Sequence, residues 1–536
     1  MTVLLTLLTA NPGHAGSESA ADIGKSIYLH GILGNGKPLV ARRVDGMRTE
    51  GADAACVNCH QRSGLGTKEG NKFIPPITAR YLFRPRASQR EGLDLPYVEG
   101  IRADREPYTD ATIARAIREG LSSESKPLDY LMPHFELDDV DMDALVAYLK
   151  RLDQHKMPGV TDSVLHFATI ITPDADPVKR AGMLEVLEKF FASKNAYVRG
   201  PAPRLTSTRV MMFKASRRWQ LHVWQLSGPP DTWQDQLKRH LAKEPVLAVI
   251  SGLGGKNWTP VHAFCEQAAL PCLFPNVEAP PAGADRDFYS LYFSKGVLLE
   301  AGLIAQNLLN SGGGKLAKEV HQFYRAGDSG ESGAETLASA LRHAGIQVKN
   351  HVLENGVPGR GVEEAMQKAT HADALVLWLR PRDLSALDGL PVPQATVFMS
   401  GLLGGLEGTT LPARWRERAH MAYPFGLPKQ RLINVDFALG WFRIRQIPVI
   451  DLQVQSDTYL ACGLLSETLN RMADTFVRDY LVERMQGMLE HRIITGYYPR
   501  LSLAAGQRFA SKGGYLVRFS EAPDVRLLAD QKWMVP

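Results

Sequence analysis

Three stretches of helical periodicity organise the first 155 residues. Ile23, Ile27 and Tyr28 fall on one face of a predicted helix running from about Ala20 to Leu29, with Gly31 as its stop. A second helix is predicted after Thr109-Asp110, carrying Ile113, Ala116 and Ile117 inward and ending at Gly120. The third opens on Asp138 as N-cap, and Leu145, Tyr148, Leu149 and Leu152 then repeat at helical spacing. Asp139 and Asp141 in its first turn and Lys150 and Arg151 in its last suit the helix dipole. A Pro/Arg/Gly-rich stretch, roughly 61 to 108, separates the first two. Residues 153–163 (DQHKMPGVTDS) break the pattern and read as a linker. Beyond it, short apolar runs (Leu165–Ile171, Val246–Ile250, Ala374–Trp378, Thr396–Met399) alternate with amphipathic helical ones (Val178–Phe191, Ala334–Ala344, Tyr459–Asp474). Such alternation predicts parallel sheets with helices on both faces, and the length suits two α/β lobes. The expected organisation is therefore an all-α domain over 20–152, a linker, and a two-lobed α/β domain over 164–536.

A chain of 536 residues, 44% hydrophobic and 22% charged, has the composition of an ordinary globular protein. Its formal net charge of +5 comes with no long Lys/Arg run, which gives nucleic-acid binding no support. No run approaches the ~18 apolar residues of a membrane span. Val3–Thr9 is almost wholly apolar, and Gly13-His14-Ala15 resembles a small-residue cleavage site. Residues 1–15 thus read as a secretory signal lacking its basic start, and imply export to the periplasm. Of five cysteines, Cys265 and Cys272 are either a disulfide in that oxidising compartment or two buried thiols.

Cys56-Val57-Asn58-Cys59-His60 is the attachment signature for one covalent haem c. Thiols three residues apart can each add to one porphyrin vinyl group, and the adjacent His60 becomes the proximal iron ligand. A zinc half-site is the competing reading, but no second Cys pair completes it. The sixth ligand should be a soft or imidazole donor. Met132, in Leu131-Met132-Pro133-His134-Phe135 just ahead of the Asp138-capped helix, is the leading candidate, with His134 and His30 as alternatives.

With these motifs in place, residues 20–155 resemble a class I cytochrome c domain. The resemblance implies that the first and last helices cross, through Gly24 and Tyr28 against Leu145 and Tyr148. MPHFELDDVDMDALVAYL matches the distal Met loop and final helix, while the long insertion after the haem motif and His134 depart from the family pattern. Residues 164–536 resemble the type I periplasmic substrate-binding proteins of the branched-chain amino-acid branch. The similarity lies in LHFATIITPDADPVKRAGMLEVLEKFF, in VLAVISGLGGKNWTPVHAFCEQAALPCLFPN and in the tail GYYPRLSLAAGQRFASKGGYLVRF. It implies two lobes joined by three crossovers, with a ligand cleft contributed to by Ser251, Lys256, Glu278 and Asp328. Glu278 stands where a ligand-seating hydroxyl is expected, and a Glu repels a carboxylate. The cleft is therefore expected either to take an amine, cation or neutral alcohol-like molecule, or to be self-neutralised by Lys256 and empty.

Gly312-Gly313-Gly314-Lys315 lacks the first Gly and the Ser/Thr of a phosphate loop. The expected function is periplasmic electron transfer, not enzymatic catalysis, with a redox partner protein and a module that recognises a small molecule or that partner. Service to a periplasmic dehydrogenase is suggested by association alone. The alternative is a substrate-binding or sensing component of an ABC-type uptake system carrying a redox-active haem. A peroxidase is disfavoured, because Met132 would close the iron's open position.

Overall fold

The computed structural model describes residues 20–536 apart from 70–71, 84–104, 153–155, 197–216, 311–316, 355, 370, 473–474, 490–491, 505 and 521–525. The signal expected over 1–15, the glycine run 312–315, the start of the 153–163 linker and part of the 61–108 stretch lie outside the described residues. The chain divides into two compact units, Met1–Lys156 and Met157–Pro536.

In the first unit, helix α1 (Ala20–His30) packs against the last helix, separated from it in sequence, among the described residues, by three others: α2 (Val57–His60), α3 (Ala79–Leu82) and α4 (Asp110–Glu119). The last helix is α5 (Asp139–Arg151). Local chemistry sets the ends. Thr109 caps α4 by accepting from Thr112 N–H at 3.2 Å, and Gly120 closes it in the left-handed region at φ 69. The Asp138 carboxylate accepts from Asp141 N–H at 2.8 Å to start α5. α1 and α5 approach closely because Gly24 has no side chain: a Cβ there would lie 2.1 Å from the Ala144 carbonyl oxygen and 2.8 Å from Tyr148 Cβ. Tyr28 and Tyr148 then meet with ring centroids 5.3 Å apart.

The unit is not purely helical, which corrects the all-α expectation. Strands β1 (Val40–Arg42), β2 (Arg48–Glu50) and β5 (His134–Glu136) form a small antiparallel sheet, and β3 (Thr67–Glu69) pairs with β4 (Lys72–Ile74). Each has three residues, too few for alternation to register in the sequence.

Among the described residues the second unit holds two sheets. The first is parallel, in the order β10-β9-β8-β6-β7, from β6 (Val164–Ile171), β7 (Arg218–Gln225), β8 (Ala248–Ile250), β9 (Cys272–Leu273) and β10 (Ser290–Leu291). The second runs β12-β11-β13-β14-β15-β16-β17. Its parallel part is β11 (Glu319–Arg325), β12 (Gln347–Leu353), β13 (Ala374–Trp378), β14 (Thr396–Ser400) and β15 (Ala419–Tyr423). Two antiparallel strands follow, β16 (Tyr515–Phe519) and β17 (Leu527–Ala529). The chain leaves the first sheet at Gly296, whose φ of 58 and closeness to the Glu278 carbonyl (1.9 Å from a notional Cβ) admit only glycine. It returns after β15, where helix α6 (Pro177–Ala196) meets two later helices, here α7 (Pro428–Arg445) and α8 (Leu452–Met472), around Val186, Ala438, Phe442 and Ile447. Cys265 and Cys272 are two buried free thiols; their mutual hydrogen bond, with burial, holds the Cys265 proton on.

Gly24→Ala should force α1 and α5 apart, at a cost on the order of 1–3 kcal/mol. Hydrogen exchange should accelerate in residues 20–30 and 139–151 while exchange in the second unit is unchanged.

Candidate functional site

The first site is built on one turn of helix. The amides of Cys59 and His60 bond back to the Cys56 carbonyl at 3.3 and 3.0 Å, so both thiols and the imidazole project from a single turn. His60 is buried at 7% exposure, and its Nδ1 lies 3.0 Å from the Pro75 carbonyl oxygen. A carbonyl can only accept, so Nδ1 carries the hydrogen and Nε2 keeps its lone pair. Nε2 takes no hydrogen bond among the described residues. Burial lowers the His60 pKa to about 4 despite the opposing Pro75 bond, so the ring is neutral, the form that binds iron. The loop that brings Pro75 over is itself tied down: Gly66 N–H bonds the His60 carbonyl at 3.1 Å and Tyr28 Oη donates to the Gln61 carbonyl at 2.7 Å.

Met132 packs, half-buried, against the same apolar cluster as Cys56 and Val57. Its loop is anchored where Lys72 of β4 meets Asp129 at 2.8 Å. The alternatives are placed differently. His134 lies in β5 with its ring against Gly120, where a Cβ would fall 2.4 Å from its Nε2, and His30 is exposed at the end of α1.

The second site lies just past the carboxyl ends of the strands of both sheets in the second unit, where open α/β sheets place ligands. Glu278, beyond β9, is gripped by three side chains. Arg380, after β13, donates to Oε2 at 2.7 Å and Oε1 at 3.3 Å; Ser329 Oγ donates at 3.0 Å; Lys179 of α6 donates at 3.3 Å. Burial alone would raise the Glu278 pKa, but Lys179, Arg380 and the hydrogen bonds outweigh it and hold the carboxyl down at about 2. The other edge of the Arg380 guanidinium takes Asp328, at 2.8 and 2.7 Å.

Glu278 and Asp328 are thus brought together, through Arg380. Lys256 is not the neutralising neighbour; its exposed side chain lines a separate hollow of about 460 Å³ with Asp174, Trp233, Asp328 and Glu331, while its amide bonds Asp174 at 2.8 Å. Ser251 is fully buried behind the cleft, its hydroxyl 2.9 Å from Thr458 Oγ1 and 3.0 Å from the Asn276 amide. Sequence reasoning missed Lys179, Arg380 and Asp457. Asp457 had a signal: it stands between Val454 and Ala461 on the apolar stripe of α8, which begins at Leu452, ahead of the expected Tyr459.

Residues 50–153 match the family model described as Cytochrome c. No curated protein matches the chain. Among solved structures, a fatty acid ABC transporter substrate-binding protein from Thermomonospora curvata shares 13% identity, with 71% of this chain and 95% of that one covered and a TM-score of 0.52. A possible leucine/isoleucine/valine-binding protein from Rhodopirellula baltica SH 1 shares 14%, covering 69% and 97%, with a TM-score of 0.51. A type 1 periplasmic binding protein from Bordetella pertussis Tohama I shares 14%, covering 68% and 100%, with a TM-score of 0.50. At such identities the likeness is one of fold. The first unit therefore carries a cytochrome c domain, which implies covalently bound haem c, and the second has the type I periplasmic binding protein fold.

Glu278→Gln leaves Lys179 without a carboxylate partner and Arg380 with Asp328 alone. Because the folded pKa is depressed, the stabilisation is present above the usual carboxylate pKa and is lost as pH falls towards 2. The variant should be less stable than the parent by on the order of 1–3 kcal/mol at pH 7. Thermal unfolding of the second unit should show that gap closing between pH 4.5 and 2.

Proposed function

We propose that the protein is a periplasmic haem c electron carrier whose binding-protein-like unit recognises a small molecule or a redox partner. The observation that carries the reading is the Cys56-Cys59-His60 turn, with His60 Nδ1 committed to Pro75 and Nε2 left for a metal. When bound, haem c supplies reversible one-electron exchange. The chain's part is to hold and insulate it: Cys56 and Cys59 provide the thioether sulfurs, His60 the proximal nitrogen and Met132 the distal thioether. The shared cluster of Met132 and Cys56 supports Met132 over His134, whose ring is taken up by Gly120. Thioether addition outside the cytoplasm fits a signal over residues 1–15, and a periplasmic dehydrogenase is the class of electron donor the reading favours.

Met132→Ala should convert a six-coordinate low-spin ferric haem into a high-spin or His-ligated one. The long-wavelength sulfur-to-iron band should be present in the parent and absent from the variant. Its absence from the parent, or survival in the variant, assigns the sixth ligand elsewhere.

The second reading, a solute receptor for an uptake system, is favoured by the 460 Å³ hollow. With Glu278 already paired to Arg380 and Lys179, an amino-acid carboxylate meets no free cation beside it among the described residues. Calorimetry should accordingly register no binding of leucine, isoleucine or valine. Micromolar affinity for any of them would put the transport reading first.

A further inference from the structure

Helix α7 is apolar on two opposite faces. Val435, Ala438 and Phe442 are buried along one of them, the last two in a cluster with Val186 of α6. At about 3.6 residues per turn, Ile433, Phe437, Gly440 and Ile444 fall together on the other. That face is open to solvent: Ile433, Phe437 and Ile444 are 74%, 54% and 76% exposed. Leu432, Val449 and Ile450 widen the patch, so six of the nineteen exposed large apolar side chains among the described residues fall within residues 432–450. Apolar side chains scattered singly over a surface mean nothing, but a concentration of this kind marks a face that something covers.

Three features of α7 suit a second copy of itself. Gly440 lies inside the helix, where glycine weakens it relative to alanine, yet a Cβ there would meet only the Arg443 side chain, at 4.0 Å. Gly24 opens α1 to the close approach of α5; Gly440 makes the same opening on the surface. Ile433, Phe437, Gly440 and Ile444 are spaced by four, three and four residues, a pattern that reads alike in both directions. An antiparallel copy of α7 about a two-fold axis therefore meets it in register, with Phe437 of one copy over Gly440 of the other and Ile433 against Ile444. A two-fold contact requires this self-complementarity. Asp436 and Arg443 lie on one flank of the stripe, 3.6 Å apart and with side chains 71% and 76% exposed. The two-fold axis keeps that flank on one side of the pair, so Asp436 of each copy stands beside Arg443 of the other. A weak, solvated pair within one helix is then replaced by two between helices.

We propose that the exposed face of α7 is the contact of a two-fold homodimer, in which α7 of one copy packs antiparallel on α7 of the other, crossing near Gly440. The proposal is independent of what the cleft binds, and it puts two cytochrome units in each assembly. An 18-residue helix is about 27 Å long. A single helix pair, even widened by Leu432, Val449 and Ile450, buries less than the roughly 1,600 Å² of a standard interface, so the dimer is a weak, micromolar one.

The test is sedimentation velocity of the full-length holoprotein from about 1 to 100 micromolar, a range that brackets the affinity of so small a contact. The expected result is a reversible shift from the mass of one chain to twice that mass. Phe437→Asp should raise the dissociation constant about thirtyfold or more, the scale of a central interface side chain. Gly440→Leu should do the same while leaving the thermal midpoint of the monomer unchanged or higher, since leucine favours the helix and a Cβ there meets nothing nearer than 4.0 Å. Asp436→Arg and Arg443→Asp should each weaken self-association, and a mixture of the two should associate more tightly than either alone. A monomer at every concentration overturns the second copy as the occupant and leaves the face to a partner of another kind. A dimer that survives both Phe437→Asp and Gly440→Leu overturns its location. Mixed charge variants that associate no better than each alone overturn the antiparallel register.

Discussion

A carboxylate taken out of water must find its partners inside the protein, and Glu278 finds three side chains drawn from distant parts of the chain. Lys179 comes from the helix that follows the first strand of one sheet; Ser329 and Arg380 come from segments that follow strands of the other. The same guanidinium holds Asp328, so one planar fork serves two carboxylates, as arginine geometry permits and lysine geometry does not. Much of the second unit's arrangement follows from this cluster. It couples the loops past both sheets.

The same requirement explains the other site. His60 is deep enough in apolar surroundings that its charged form is suppressed, and the Pro75 carbonyl then decides which nitrogen keeps the hydrogen. Proline has no N–H of its own, and its carbonyl is unencumbered by a ladder partner at the end of β4. The cost of that arrangement is a loop that must return over the haem-binding turn, and the Gly66, Tyr28 and Gln61 contacts meet it. Gly24 sits beneath all of this, since α1 can supply Tyr28 only if it lies hard against α5.

Much of this was legible in the residues themselves, and unevenly so. Thr109, Gly120 and Asp138 mark helix ends because capping is a contact between neighbours. The Cys56–His60 turn is legible for the same reason: its five residues contain both the cysteine spacing and the adjacent histidine. Ala374–Trp378 reads as a buried strand because all five positions are apolar. The three-residue strands around Ala41 and Phe135 carry no such pattern, and they form only because β1 and β5 find each other across 94 residues of chain.

What the sequence determined alone is therefore the chemistry carried by adjacent residues: a Cys-x-x-Cys-His turn, the helices around it, the alternation that makes one parallel and one mostly parallel sheet, and an acid at 278 where a hydroxyl was expected. Tertiary structure decided the partners. Lys256 was the near candidate for neutralising Glu278, yet Arg380 and Lys179, 102 and 99 residues away, took that place. Ser251 was turned into the buried network with Thr458. The physical reason is that a buried charge is answered by whichever groups the packed backbone brings within hydrogen-bond reach, and sequence separation places no limit on which those are.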